Sequence, residues 1–280
     1  MSLAERNAVK LRSRELTPTG KAFYTPCCMQ RPPGRIGPIL SGSPNQWINQ
    51  VNQRYGALAA LGVTPEERRQ LDSWLISRFV LATLRLEEID VARKPWARDI
   101  ELAKEATPFV IAHLTNALRE IIILVGIAGD DAQLTPELLI KLSGADFRIS
   151  DDLADRSTVA IPAAYLAQII EQACDWFAAE SFVELNPIEQ AAIVFLRLVT
   201  IQPFEQANQA TAMVAASLFT LRAKLPPIVI KPEMQTAFLK ARREAGQMNM
   251  QPLVELIAEA VSLTLDEMSG FVKQAREAQR

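Results

Sequence analysis

Apolar residues recur along this chain with the period of a helix. From Asn45 they fall on one face, at Trp47, Val51, Tyr55, Leu58 and Leu61, and Gly62 follows as a stop. Thr64-Pro65-Glu66-Glu67 is a start signal, with a capping threonine, proline at the first helical position and glutamate at the third. It predicts a helix from Pro65 to about Val91, with Leu71, Leu75, Phe79 and Leu86 inward. Asp99 to Thr107 reads as a short helix ended by Pro108, and Phe109 to Val125 as a second, mostly buried one. Thr135-Pro136-Glu137 opens a helix through Leu142 that Gly144 closes. Ile161 to Ala179 is amphipathic through Leu166, Ile169, Ile170, Ala173 and Trp176. Pro232 to Gly246, closed by its glycine, and a long helix from Gln251 complete the pattern. Only one segment suits strands: Phe147-Arg148-Ile149 and Ser157 to Ile161 flank a polar turn, which predicts a short hairpin.

The most apolar stretch is central. Asn186-Pro187-Ile188-Glu189 starts a helix with a cap, an N1 proline and a capping-box glutamate. Beyond it the helix is apolar nearly all round, which places it inside a helical domain, and Pro203 stops it. The helix after it shows one buried face, at Ala210, Met213, Val214, Leu218 and Leu221. The loop between them sets a helix N-terminus at the mouth of a core, where a ligand can meet it. The expected fold is therefore all-α with a short β-hairpin. The expected organisation is a Pro/Gly-rich irregular arm over 1–44, N-terminal helices over 45–98, and a core with C-terminal helices over 99–280.

Composition removes several classes of function. With 30 basic and 32 acidic residues and a net charge of -2, nothing draws the chain to nucleic acid or to an anionic membrane. No basic helix follows the core. The most apolar run, Phe109 to Val125, is interrupted by His113, Arg119 and Glu120, so no membrane span is expected. The N-terminal residues lack the apolar core of a signal peptide. Of three cysteines, Cys27 and Cys28 are adjacent and Cys174 is remote, so neither a disulfide framework nor metal-ligand spacing exists. A reducing cytoplasm is the expected setting. His113, the one histidine, has no triad or metal partner near it in sequence, and a structural role is expected.

Ile201-Gln202-Pro203-Phe204-Glu205-Gln206-Ala207-Asn208-Gln209-Ala210 resembles the signature loop of the Fic (Fido) family, His-Pro-Phe-x-Asp/Glu-Gly-Asn-Gly-Arg-x-x-Arg. Pro203, Phe204 and Asn208 match. Gln202 stands at the histidine, Gln206 at the metal-binding carboxylate, Ala207 and Gln209 at the glycines, Ala210 and Met213 at the arginines. Two further segments carry the resemblance. Thr83-Leu84-Arg85-Leu86-Glu87-Glu88-Ile89 is similar to the family's inhibitory helix, Ser-Ser-x-Ile-Glu-Gly-Ile/Asn. Phe147-Arg148 fits the Tyr-Arg that enters the family's flap, a hairpin that holds the target by β-augmentation.

The resemblance implies a reaction and, here, its loss. Family members transfer AMP, or another phosphate-containing group, to a protein hydroxyl. The histidine is the general base, the carboxylate holds magnesium, the glycines let backbone amides form an anion nest, and the arginines neutralise phosphate. Gln202 cannot accept a proton, Gln206 offers magnesium only a neutral oxygen, and alanine and glutamine disfavour the positive φ of a nest. ATP and magnesium are expected only if the altered site still holds them. The inhibitory glutamate pairs with the second arginine in the family. That position is Met213 here, so Glu87 is expected to face solvent or a cation such as Arg85 or Arg197. Glu205, the loop's one carboxylate, is the candidate for a substitute base or metal ligand, with a solvent-facing side chain as the competing expectation. The sequence thus points to a pseudoenzyme that binds a protein partner through the flap, or a small ligand through the cleft. A divergent transferase is the alternative. The oligomeric state stays open, a homodimer included.

Overall fold

The computed structural model describes residues 45–92, 100–151 and 161–278, and their side chains over 46–87, 110–151 and 161–278. The proline-rich arm and the turn expected of the hairpin lie outside the described residues. Among them the chain forms α1 (Asn45–Ala60), α2 (Pro65–Ala92), α3 (Ile100–Ala128), α4 (Pro136–Ser143), α5 (Leu166–Ala178), α6 (Glu180–Val183), α7 (Pro187–Ile201), α8 (Asn208–Arg222), α9 (Gln235–Gly246) and α10 (Gln251–Ala278). No strand occurs among the described residues, so the fold is all-α there; 147–150, the described part of the expected hairpin, is irregular.

Start and stop chemistry explains the boundaries. In α2, Glu67 N donates to Thr64 Oγ1 and Thr64 N donates to Glu67 Oε2 at 2.8 Å, a closed capping box. The Arg276 guanidinium forks onto the same carboxylate, 2.6 Å from Nε to Oε1, tying α10 to the start of α2. That pairing, helped by the Thr64 amide, holds the Glu67 carboxyl at about 2. Asn186 caps α7 in the same reciprocal way.

The central pair is α7 and α8. Helix α8 meets α2, α3, α4 and α7, while α7 also meets α5, α9 and α10, and α1 lies on α10. The single buried face expected of α8 is incorrect. Every residue from Gln209 to Thr220 is buried. Ala210, Ala212, Ala215, Ala216 and Ser217 are small enough to admit neighbours on all sides. Ser217 also pins the chain beyond α8: its Oγ donates to Met213 O and accepts from Ile228 N at 3.1 Å, and Ile228, Val229 and Ile230 are buried.

Three further expectations need correction. Pro108 does not end a helix; α3 runs through it. A proline costs a helix interior about 3 kcal/mol, which the rest of a long helix can outweigh. Gly246 is not the turning residue after α9; Met248 takes the left-handed conformation, with φ 71°. Val110–Asp131 is, by length and a mean hydropathy of 1.7, apolar enough to cross a membrane. Its face of Leu114, Ala117, Leu118 and Ile121 is buried in the helical core.

The lone histidine is structural. His113 Nε2 lies 2.8 Å from Leu142 O, joining α3 to the end of α4. Gly144, with φ 67°, ends α4 beneath the imidazole, and a Cβ there would stand 2.7 Å from His113 Cε1. Gly144→Ala is expected to cost about 2 kcal/mol, since the left-handed conformation alone costs a side chain about 1–2 kcal/mol. Urea unfolding checks this; a wild-type midpoint would show that the α4 terminus relaxes without strain.

Candidate functional site

The loop from α7 to α8 is short and internally braced. Helix α7 ends because Gln202 turns left-handed, with φ 49°, and Pro203 cannot continue it. Pro203 and Phe204 turn inward; Glu205, Gln206 and Ala207 are exposed. Asn208 then staples the loop. Its Oδ1 accepts from Phe204 N at 2.9 Å, and its Nδ2 donates to Phe204 O at 2.7 Å. The staple makes sense of an unexpected backbone. Ala207 was expected to avoid positive φ, yet it has φ 56°. The left-handed turn that glycine would make freely is kept by alanine, at a cost of about 1–2 kcal/mol that the surrounding bonds must hold.

Helix α8 has no cap of its own, because Ala207 offers no side-chain acceptor. The acceptor comes from α2. Glu87 Oε1 takes the Ala210 N–H at 2.6 Å. The expectation of a solvent-facing side chain is therefore corrected: Glu87 is half-buried and bonds a backbone amide. The reason is electrostatic. The first turn of a helix presents unpaired N–H groups and partial positive charge, which a carboxylate satisfies. Met213, in the arginine position of the resemblance, is 1% exposed and belongs to the core.

Two arginines brace the loop from outside. Arg148 is buried and donates from Nε to Gln202 O at 2.9 Å. Its backbone N donates to Pro203 O, and the Phe147 ring packs 5.6 Å from that of Phe204. Arg242 of α9 donates to the Oε1 of Gln209. The structure thus gathers Glu87, Phe147, Arg148, Gln202, Pro203, Phe204, Asn208, Gln209 and Ala210, and leaves Glu205 and Gln206 in solvent. Arg242 went unnoticed in the sequence, where it is one of several charges on α9 with no feature of its own.

The chemistry on offer is limited. Gln202 is neutral, and the site's carboxylate already holds the first turn of α8. Among the described residues no group of three His, Cys, Asp or Glu could hold a metal. Cys174 of α5 is buried, and burial, with Asp175 and Glu137 nearby, pushes its thiol up to about 12, too high for a nucleophile.

Residues 133–220 match the profile of the Fic/DOC family. Protein adenylyltransferase fic-1 of Caenorhabditis elegans is 26% identical over 113 residues, 40% of this chain and 22% of that protein. Protein adenylyltransferase Fic of Drosophila willistoni is 29% identical over 101 residues, 36% of this chain and 20% of that protein. This chain therefore spans about a fifth of the relatives' length. A Fic-domain-containing signaling protein from Bacteroides thetaiotaomicron superposes with a TM-score of 0.66 at 15% identity, covering 80% of this chain and 97% of that one. Fic-1 from C. elegans gives 0.59 at 14% identity, over 80% and 71%. The matched segment begins just before α4 and ends within α8, so it contains the braced loop and both central helices. Residues 133–220 thus match the Fic/DOC family, and the helices around them share the fold of Fic-domain structures.

Proposed function

We infer that this protein has left ordinary protein AMPylation and works as a binding module, a pseudoenzyme that receives a protein partner or a small ligand at the loop over 201–210. One observation carries the reading: Glu87 Oε1 sits on the Ala210 N–H, at the helix N-terminus where a phosphate would bind. The rest of the loop supports it. Asn208 spends its amide on Phe204, Gln206 is exposed and neutral, and Ala210 and Met213 are buried apolar residues in the arginine positions. These residues do not fit magnesium-bound ATP. A polyphosphate would meet a carboxylate, find no arginine in the first turns of α8, and have the neutral Gln206 where a carboxylate would hold its metal. Three cysteines without the spacing of a disulfide framework favour a cytoplasmic setting.

Calorimetric titration with ATP, with and without magnesium, tests the reading. The expected affinity is weaker than about 1 mM, near -4 kcal/mol, with no transfer of label to protein. Micromolar binding that magnesium strengthens would overturn it.

A second reading draws on the adenylyltransferase relatives and on Glu205, which is exposed in the loop. It makes the chain a divergent transferase with Glu205 as base. Transfer that Glu205→Ala reduced by about 10²- to 10⁴-fold would establish it; unchanged transfer would remove Glu205 from the account.

A further inference from the structure

Arg148 is a cation placed where cations are seldom left. It is 3% exposed, and burial pulls its guanidinium below the usual value while Asp151 opposes that. All three of its donor nitrogens are used on backbone carbonyls. Nε donates to Gln202 O at 2.9 Å, Nη1 to Ser150 O at 2.9 Å, and Nη2 to Ile161 O. Asp151 Oδ1 stands 3.5 Å from Nη1 and also accepts from Ala163 N at 2.6 Å. Taking a guanidinium out of water costs several kcal/mol, so the site persists only because these carbonyls replace its hydration. Each acceptor belongs to a different stretch of chain. Ser150 and Ile161 lie eleven residues apart in the sequence, and Gln202 lies in the loop between α7 and α8. The backbone bond from Arg148 N to Pro203 O repeats the connection.

We propose that Arg148 is a latch: a positioning residue that couples the flanks 148–151 and 161–163 to the loop 202–204, so that a disturbance of one is transmitted to the other. The coupling depends on the shape of the guanidinium as well as its charge. A planar fork reaches three carbonyls in fixed directions, and a lysine ammonium at the same place cannot. Its consequence is that anything seated on the flanks alters the order of the loop, and anything seated on the loop alters the flanks. The latch acts whichever ligand the loop takes, since the guanidinium holds backbone carbonyls of both segments.

Hydrogen exchange on the full chain, read by peptide, tests it through a double-mutant cycle. The loop is disturbed by Asn208→Ala, in the wild type and in Arg148→Lys. In the wild-type background, exchange at 161–165 is expected to rise about tenfold although the Asn208 side chain bonds Phe204 and not that segment. In Arg148→Lys the rise at 161–165 is expected to shrink below about twofold while the loop still responds. Equal rises in both backgrounds, or no rise in the wild type, would overturn the latch. Peptides of α10 control for global unfolding; if they move, Phe204→Leu replaces Asn208→Ala and the same two outcomes decide.

Discussion

Glu87→Ala is expected to lower folding stability by about 2 kcal/mol and to release no AMP transfer. The stability loss follows from the bond that disappears. The Ala210 amide is one of the donors that a helix cannot satisfy internally, and Glu87 is its acceptor at 2.6 Å. A charged acceptor at a partly buried helix N-terminus is worth more than a surface salt bridge, because both the hydrogen bond and the helix dipole favour it. Glu87→Gln retains an acceptor without the charge and is expected to fall between wild type and Glu87→Ala. The absence of activation is the more telling half. Where such a glutamate blocks ATP by holding an arginine, removing it frees the arginine for phosphate. Here Met213 is buried in the arginine's place, so removal frees the Ala210 amide and no arginine at that position. Thermal unfolding and a label-transfer assay on the same samples check both parts. A variant as stable as wild type would show that the amide finds another acceptor, and a variant that transfers label would refute the binding-module reading.

Asn208→Ala is expected to cost about 2–4 kcal/mol, more than a typical surface change, because two bonds are lost and two backbone groups of Phe204 lose their acceptor and donor. The staple also holds the chain where Ala207 takes positive φ, so its loss lets the strained residue relax and the loop change shape. Denaturant unfolding with tryptophan emission measures the effect. A loss under about 0.5 kcal/mol, the range of surface substitutions, would show that the loop is held by its flanking helices alone. The geometry also changes what this variant can report. A loss of ligand binding in Asn208→Ala follows from a misshapen loop and is not evidence that Asn208 touches the ligand.

Much of the fold was legible because its signals are local. Thr64 and Glu67, Thr135 and Pro136, and Asn186 and Glu189 mark helix starts through bonds between residues two or three apart, and each start was read correctly. Gly62 and Gly144 mark ends through the one conformation that glycine enters freely. Helix α6 was missed for the opposite reason. One turn carries no period, and it is held by Gln190, whose Nε2 reaches the carbonyls of Phe182, Val183 and Leu185 from α7. Pro108 misled because a local helix-breaking cost is not the whole energy of a long helix.

The sequence by itself determined which residues stand in the loop. It also determined that a histidine, a carboxylate, two glycines and two arginines of the resemblance are replaced by Gln202, Gln206, Ala207, Gln209, Ala210 and Met213. Residue identity suffices for that, since a glutamine cannot act as a base in any conformation. Only the tertiary structure decided where the remaining charges go. Glu87 is 123 residues from Ala210, and Arg148 is 54 from Gln202. A carboxylate's choice between solvent, a cation and a helix N-terminus depends on which of them the packed helices bring within hydrogen-bond reach. That is settled by the docking of α2 on α8 and of the 147–151 segment on the loop. No periodicity within either segment encodes it.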